Sequence, residues 1–192
     1  MRVITGKARG VALKTPEGMH TRPTADRVKE ALFSIIQFDV PGASVLDLFG
    51  GTGQLGIEAL SRGAKRAVFV DEREDACRLI KENLRRTKLE SDATRVRSDY
   101  LSYLSRAADK FDIILLDPPY AEVFLENALK RITEIDILRD GGIIVAERPF
   151  GKELPWTFSG YTRSKDYKYG KTLLTLYRKT DDLQTTSRRN SK

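Results

Sequence analysis

From residue 44 onward, short and nearly unbroken apolar runs alternate with stretches of helical period. SVLDLF, RAVFVDE, TRVRSD, FDIILLD and GGIIVAER read as strands. QLGIEALSRG, REDACRLIKENLRRTKL, YLSYLSRAA and AEVFLENALKRITEIDIL lie between them and read as helices. Strands that are apolar throughout and separated by helices imply a parallel sheet covered on both faces. Upstream, TADRVKEALFSIIQF sets Val28, Ala31, Leu32, Ile35 and Ile36 on one helical stripe, with Thr24 as N-cap and Asp26 in the first turn. RVITGKARGVALKT reads as a hairpin with a basic tip, and PEGMHTRP as a loop. Downstream, YTRSKDYKYGKTLLTLYRK reads as two strands about Gly170, an antiparallel hairpin that ends the sheet. TDDLQTTSRRNSK is polar and without period, so disorder is expected there. The predicted division is a basic hairpin extension over 1–20, a main domain over 21–179 and a disordered tail over 180–192.

Charge changes this picture because of where it lies. The net charge is +7. Residues 1–30 carry seven Lys or Arg against three acids, and 178–192 carry five against two. The span between them holds 22 of each sign. A neutral body with basic ends fits a polyanion partner, and Arg2, Lys7, Arg9 and Lys14 are the candidate contacts. No apolar run is long enough for a membrane span. One cysteine excludes an intrachain disulfide, and a cytoplasmic setting is expected. Cys77 falls at core spacing with Ile80 and Leu84, and Trp156 after Pro155 reads as a packing residue. The single histidine, His20, has no His or Cys partner, so no metal site is expected.

The first helix of the alternating region follows a glycine loop, VLDLFGGTGQLGIEAL. Gly51, Gly53 and Gly56 match a dinucleotide fingerprint, and Asp71 stands 20 residues beyond Gly51 at a strand end. Asp47 points elsewhere. It ends the first strand just before the loop, where a fixed carboxylate repels a pyrophosphate. It suits a cationic ligand, and S-adenosylmethionine carries an ammonium, a sulfonium and a ribose. In that reading Gly50, Gly51 and Gly53 wrap the amino-acid portion, Phe49 packs over the ligand or into the core, and Asp71 takes the ribose hydroxyls. Asp99 accepts from the adenine amine or serves as a cap. All these acids end strands, the edge where open α/β sheets bind ligands.

FDIILLDPPY ends a buried strand with Asp117, Pro118, Pro119 and Tyr120. As a bare turn this is unremarkable chemistry, but it faces the donor crevice. An exocyclic amine on a nucleobase is a weak nucleophile and must be held in place. The Asp117 carboxylate and the Pro118 carbonyl are two acceptors for its two N–H groups. The prolines hold that carbonyl rigidly, and Tyr120 offers a stacking face for a flipped base.

MRVITGKARGVALKTPEG, TRPTADRVKEALFSI, VLDLFGGTGQLGIEALSRGA and FDIILLDPPY together resemble the RsmD-type methyltransferases. The resemblance covers most of residues 1–147. It implies an α/β fold: a Rossmann-like class I S-adenosylmethionine-dependent sheet of seven strands, mostly parallel, with a C-terminal antiparallel hairpin and an N-terminal β-hairpin extension. It implies methylation of a guanine N2 amine in small-subunit (16S) ribosomal RNA, in an assembled or assembling subunit, by a monomer. It also brings Arg22 and Thr24 near the donor. Gln54 departs from the small residue expected in the loop and either meets the ligand or starts the helix. DPPY also serves adenine or cytosine amines in DNA, the glycine pattern also serves nicotinamide dehydrogenases, and a non-catalytic RNA-binding subunit could keep the fold.

Overall fold

The computed structural model describes residues 1–16, 23–119 and 122–180, excepting the side chains of 23–25 and 122. Arg22, His20, Tyr120 and the tail beyond Thr180 lie outside the described residues, as does the Thr24 side chain. Helix α1 (Pro23–Ile35) precedes β1 (Ser44–Asp47), α2 (Gln54–Ser61), β2 (Arg66–Asp71) and α3 (Glu74–Thr87). Then come β3 (Ala93–Arg97), α4 (Tyr100–Arg106), β4 (Phe111–Leu116), α5 (Glu122–Ile135) and β5 (Leu138–Pro149). The chain closes with β6 (Thr157–Phe158), β7 (Tyr161–Tyr169) and β8 (Thr172–Lys179). The strands form one sheet of order β3-β2-β1-β4-β5-β8-β7-β6. The first five are parallel, and β8, β7 and β6 follow antiparallel.

The expected parallel sheet with a closing hairpin is therefore present, with eight strands where seven were expected. The eighth is the two-residue β6. The strand direction of connection reverses between β1 and β4, which opens a crevice at their carboxyl ends. One core lies under α1, α2 and α3 and includes Leu32, Phe33, Val45, Ile57, Phe69, Leu115 and Val145. The other lies under α4 and α5 and includes Leu46, Leu116, Leu129, Ile132 and Ala146. The alternation of strand residues between the two cores is the pleat of a sheet buried on both sides.

Three differences from the sequence reading have physical causes. Helix α5 stops at Ile135 because Asp136 turns left-handed, with φ of 49°. Tyr161 and Lys179 then bond its carboxylate at 2.7 and 2.8 Å, and Leu138 pairs with Phe111, so β5 starts earlier than its glycines suggested. The N-terminal hairpin has a single β-bridge, Arg2 to Ala12, in place of two strands. This extension packs on the main domain: Val3, Ala8 and Leu13 are buried in the core shared with α1 and α2. The fully buried Glu58 fastens it by accepting from the Ile4 and Thr5 N–H groups at 2.7 and 3.0 Å. Lys29, also buried, lies 4.0 Å from that carboxylate and donates to the Arg2 carbonyl at 2.6 Å. Finally, Trp156 is exposed, with the Arg163 guanidinium 4.4 Å above its ring, because β6 lies at the sheet edge.

Candidate active site

The crevice is built from the start of α2 outward. Gly53 stands at the N-cap with φ of 79°, a conformation glycine adopts freely. It offers no side chain to the first-turn N–H groups. Asp47 supplies what it lacks: its Oδ2 accepts from the Gly56 N–H at 3.0 Å. Gly56 in turn allows α2 to lie close on the sheet, since a Cβ there would meet the Phe69 ring at 2.2 Å. Asp71 orders the loop from the other side, accepting from the Gly51 N–H at 2.9 Å and the Arg73 N–H at 3.0 Å. Gly50 bonds the Val70 carbonyl at 2.8 Å. Phe49 turns into the second core, 5.3 Å from the Tyr100 ring.

Asp47 is only 1% exposed, yet its Oδ1 has no hydrogen-bond partner among the described residues. The Gln54 Oε1, in the first turn of α2, is likewise buried without a partner. Burial pushes the Asp47 carboxyl up to about 7. The Gly56 bond opposes that rise, and the charges of Asp117 and Asp71 add to it. Buried acceptors without a partner call for a donor, and a cation bearing N–H groups would supply one.

Asp117 follows the last residue of β4 and is half-buried. Burial raises its pKa, and it influences Asp47, so the two acids share one crevice. Pro118 is also half-buried, while Pro119 is exposed. Asp99 lies further out. It is exposed and caps α4 through the Ser102 N–H at 2.9 Å, and hydrogen bonds from the Ser102 hydroxyl and then its N–H lower its pKa.

Glu147 was overlooked in the sequence. It lies on β5, half-buried, and burial and the nearby Asp117 charge both push its pKa up. The signal was available, because IIVAE, like IILLD, ends an apolar run on an acid. A basic and aromatic turn at the same sheet edge was also overlooked. Thr172 pairs with Pro149, Phe150 bonds Lys171 through the backbone, and Lys168 Nζ sits 3.4 Å from the exposed Phe150 ring centre.

The predicted RNA contacts are spread widely. Lys14 lies beside the glycine loop: Asn83 bridges its backbone to the Thr52 carbonyl, and its ammonium pairs with Glu82. The Lys7 N–H bonds the carbonyl of Ser61, the last residue of α2, so Lys7 stands one helix length from the crevice, about 12 Å. Arg2 and Arg9 line a cavity of about 330 Å³ with Arg27.

Comparison with known proteins assigns this crevice a class. The family described as "Conserved hypothetical protein 95" matches residues 1–178. Ribosomal RNA small subunit methyltransferase D of Escherichia coli (strain K12) is 32% identical over 180 residues, covering 93% of this chain and 90% of the relative. The chain belongs to the RsmD-type methyltransferase family. YlbH of Bacillus subtilis (strain 168), named as a candidate rRNA methyltransferase, is 42% identical over 182 residues, covering 93% and 99% of the two chains. A solved Escherichia coli structure, yhhF, described as a candidate methyltransferase, superposes with a TM-score of 0.84 at 28% identity, covering 93% and 97%.

The family is S-adenosylmethionine-dependent, and the crevice fits that group. Asp47 Oδ1 and Gln54 Oε1 suit the donor's ammonium, and the start of α2 suits its carboxylate. A dinucleotide pyrophosphate would instead meet the Asp47 charge.

Proposed function

We propose that this protein methylates the exocyclic N2 amine of one guanine in 16S ribosomal RNA, in the assembled or assembling small subunit. The observation that carries the reading is Asp117, a half-buried carboxylate with no hydrogen bond or ion pair among the described residues, which stands ahead of two prolines and shares a crevice with Asp47. The named relatives support ribosomal RNA as the class of substrate.

When bound, S-adenosylmethionine supplies a methyl group activated by a sulfonium. The protein's task is to hold a weak nucleophile in line with it. The Asp117 carboxylate and Pro118 carbonyl accept the two N–H groups of the amine, fixing its direction. The prolines donate nothing and restrict the backbone, so that carbonyl keeps its place. As the nitrogen gains positive charge, the Asp117 carboxylate stabilises it and accepts a proton. This is catalysis by positioning and electrostatics. Tyr120 supplies the stacking face for the base, and Arg22 and Thr24 border the donor. Asp71 serves the ribose hydroxyls and Asp99 the adenine amine. Lys168 and Lys171, with Phe150, hold RNA next to the crevice, while Arg2, Lys7, Arg9 and Lys14 contact it along the hairpin.

The test uses tritiated donor with unmodified small subunits, their extracted RNA and duplex DNA. Label is expected in small-subunit RNA and absent from DNA, and DNA labelling alone would reverse the assignment. Asp117→Ala is expected to keep S-adenosylhomocysteine binding while losing roughly a hundredfold or more in transfer. Equal loss of both would show that Asp117 serves the donor and not the acceptor.

A further inference from the structure

Glu147 and Asp117 stand side by side. Strands β4 and β5 are parallel neighbours in the register Leu116 to Ala146, so the next residue on each is an acid. Adjacent strands lie about 4.8 Å apart. Leu115 and Val145 pack in one core and Leu116 and Ala146 in the other, so Asp117 and Glu147 turn to the first face, the one Asp47 occupies. Neither acid makes a hydrogen bond or ion pair with a described residue. Arg148, the neighbouring cation on β5, is committed on the other face to Thr175, Asp166 and the Lys152 carbonyl. Among the described residues, the wall beyond the donor crevice therefore offers acceptor oxygens from two carboxylates and Pro118.

We propose that Glu147 reads the acceptor base, accepting the N1–H of guanine beside the N2 amine held by Asp117 and Pro118. This rests on the guanine reading above and supplies its selectivity. Guanine presents three adjacent N–H donors on that edge, two from N2 and one from N1. Adenine places the N1 lone pair beside its amine, and cytosine places the N3 lone pair beside its own. The ionised form of Glu147, which an N1–H donor favours, would repel either lone pair. Uracil has an N–H there but no exocyclic amine. Burying two adjacent acids is costly in the free protein, as the upward shifts of both groups show, and N–H donors from the base relieve that cost. A base edge read by well-placed hydrogen bonds gives discrimination that an apolar pocket does not.

The wild type first locates the labelled guanosine. Small subunits are then rebuilt with 2-aminopurine at that position, which keeps the N2 amine but has no N1–H. Wild type is expected to prefer guanosine by roughly 10- to 100-fold. Glu147→Gln is expected to slow guanosine and to lower that preference at least about tenfold, because an amide can donate to the bare N1. Glu147→Asp keeps an acceptor and is expected to keep the preference at a lower rate. S-adenosylhomocysteine affinity should be unchanged in both variants, and Glu147→Gln, which relieves the acid pair, should melt no lower than wild type. Equal wild-type rates on the two bases would overturn the proposal, as would a Glu147→Gln preference equal to wild type. If wild type labels no guanosine, the proposed function itself fails. A labelled guanosine with unchanged preference removes only the role of Glu147.

Discussion

Replacing Asp47 by Asn tests whether the buried acid of the crevice is a strained carboxylate. The folded protein holds this carboxyl at about 7, against an ordinary 3.8. Between those values the folded protein keeps a proton that the unfolded chain has released. Stability therefore falls as pH rises from about 4 to about 7, then levels off. At about 1.4 kcal/mol per pH unit, the span from pH 5.5 to 7 costs the wild type about 2 kcal/mol. Asn carries no charge and avoids that loss. Its amide nitrogen takes the unpartnered position and has its own burial cost, but that cost is the same at every pH and cancels in the comparison. Urea denaturation of both proteins at about pH 5.5 and 8.5 gives the four free energies needed. The wild type is expected to lose about 2 kcal/mol more than Asp47→Asn across this range. S-adenosylhomocysteine should bind the wild type more tightly as pH rises through 7, since its ammonium favours the ionised acid, and should bind the variant weakly throughout. Parallel stability curves for the two proteins would refute the reasoning.

Other expectations concern parts of the protein away from Asp47. Glu58→Ala leaves Lys29 buried beside two freed backbone N–H groups, and is expected to cost about 3 kcal/mol in urea denaturation; a loss under about 1 kcal/mol would mean water replaces the carboxylate. Partial burial of Asp136 resists ionisation, but hydrogen bonds from Lys179, Tyr161 and Lys110 outweigh it and hold its pKa well below 3.8. Its contribution is therefore present above about pH 4 and lost as pH falls below that value. Asp136→Asn, which tolerates the same left-handed backbone, should lower stability at pH 7 by about 1 kcal/mol, allowing for solvent screening, and by less at pH 3. Removing Lys168 and Lys171 together should reduce the salt dependence of RNA binding by roughly 1.5 in log–log slope, and an unchanged slope would place the RNA elsewhere.

The alternating pattern made the parallel sheet legible because each β–α unit is local. The acids Asp47, Asp71 and Asp117 were legible for a related reason: each ends a strand, and parallel strands bring their ends to one edge. What stayed hidden depends on partners distant in sequence. Glu58 looks misplaced in QLGIEALS until residues 4 and 5, more than 50 positions away, bring it their N–H groups. Glu147 needed the β4–β5 register to become the neighbour of Asp117. Asp136 broke a helix through tertiary bonds to Tyr161 and Lys179, against a periodic pattern that ran on through Leu138. The hairpin's basic tip was legible, but its docking through Val3, Ala8, Leu13 and the Glu58 carboxylate was not. Gly53 and Gly56 fit a nucleotide motif literally, and only the charge of Asp47 separated that reading from a methyl-donor site.

The most direct test of the central claim is nucleoside mass spectrometry of 16S RNA from cells lacking the gene. One N2-methylguanosine should be missing, restored by the wild-type gene and not by Asp117→Ala. A complete set of N2-methylguanosines in those cells, or the loss of a methylated adenosine or cytidine in its place, would contradict the account.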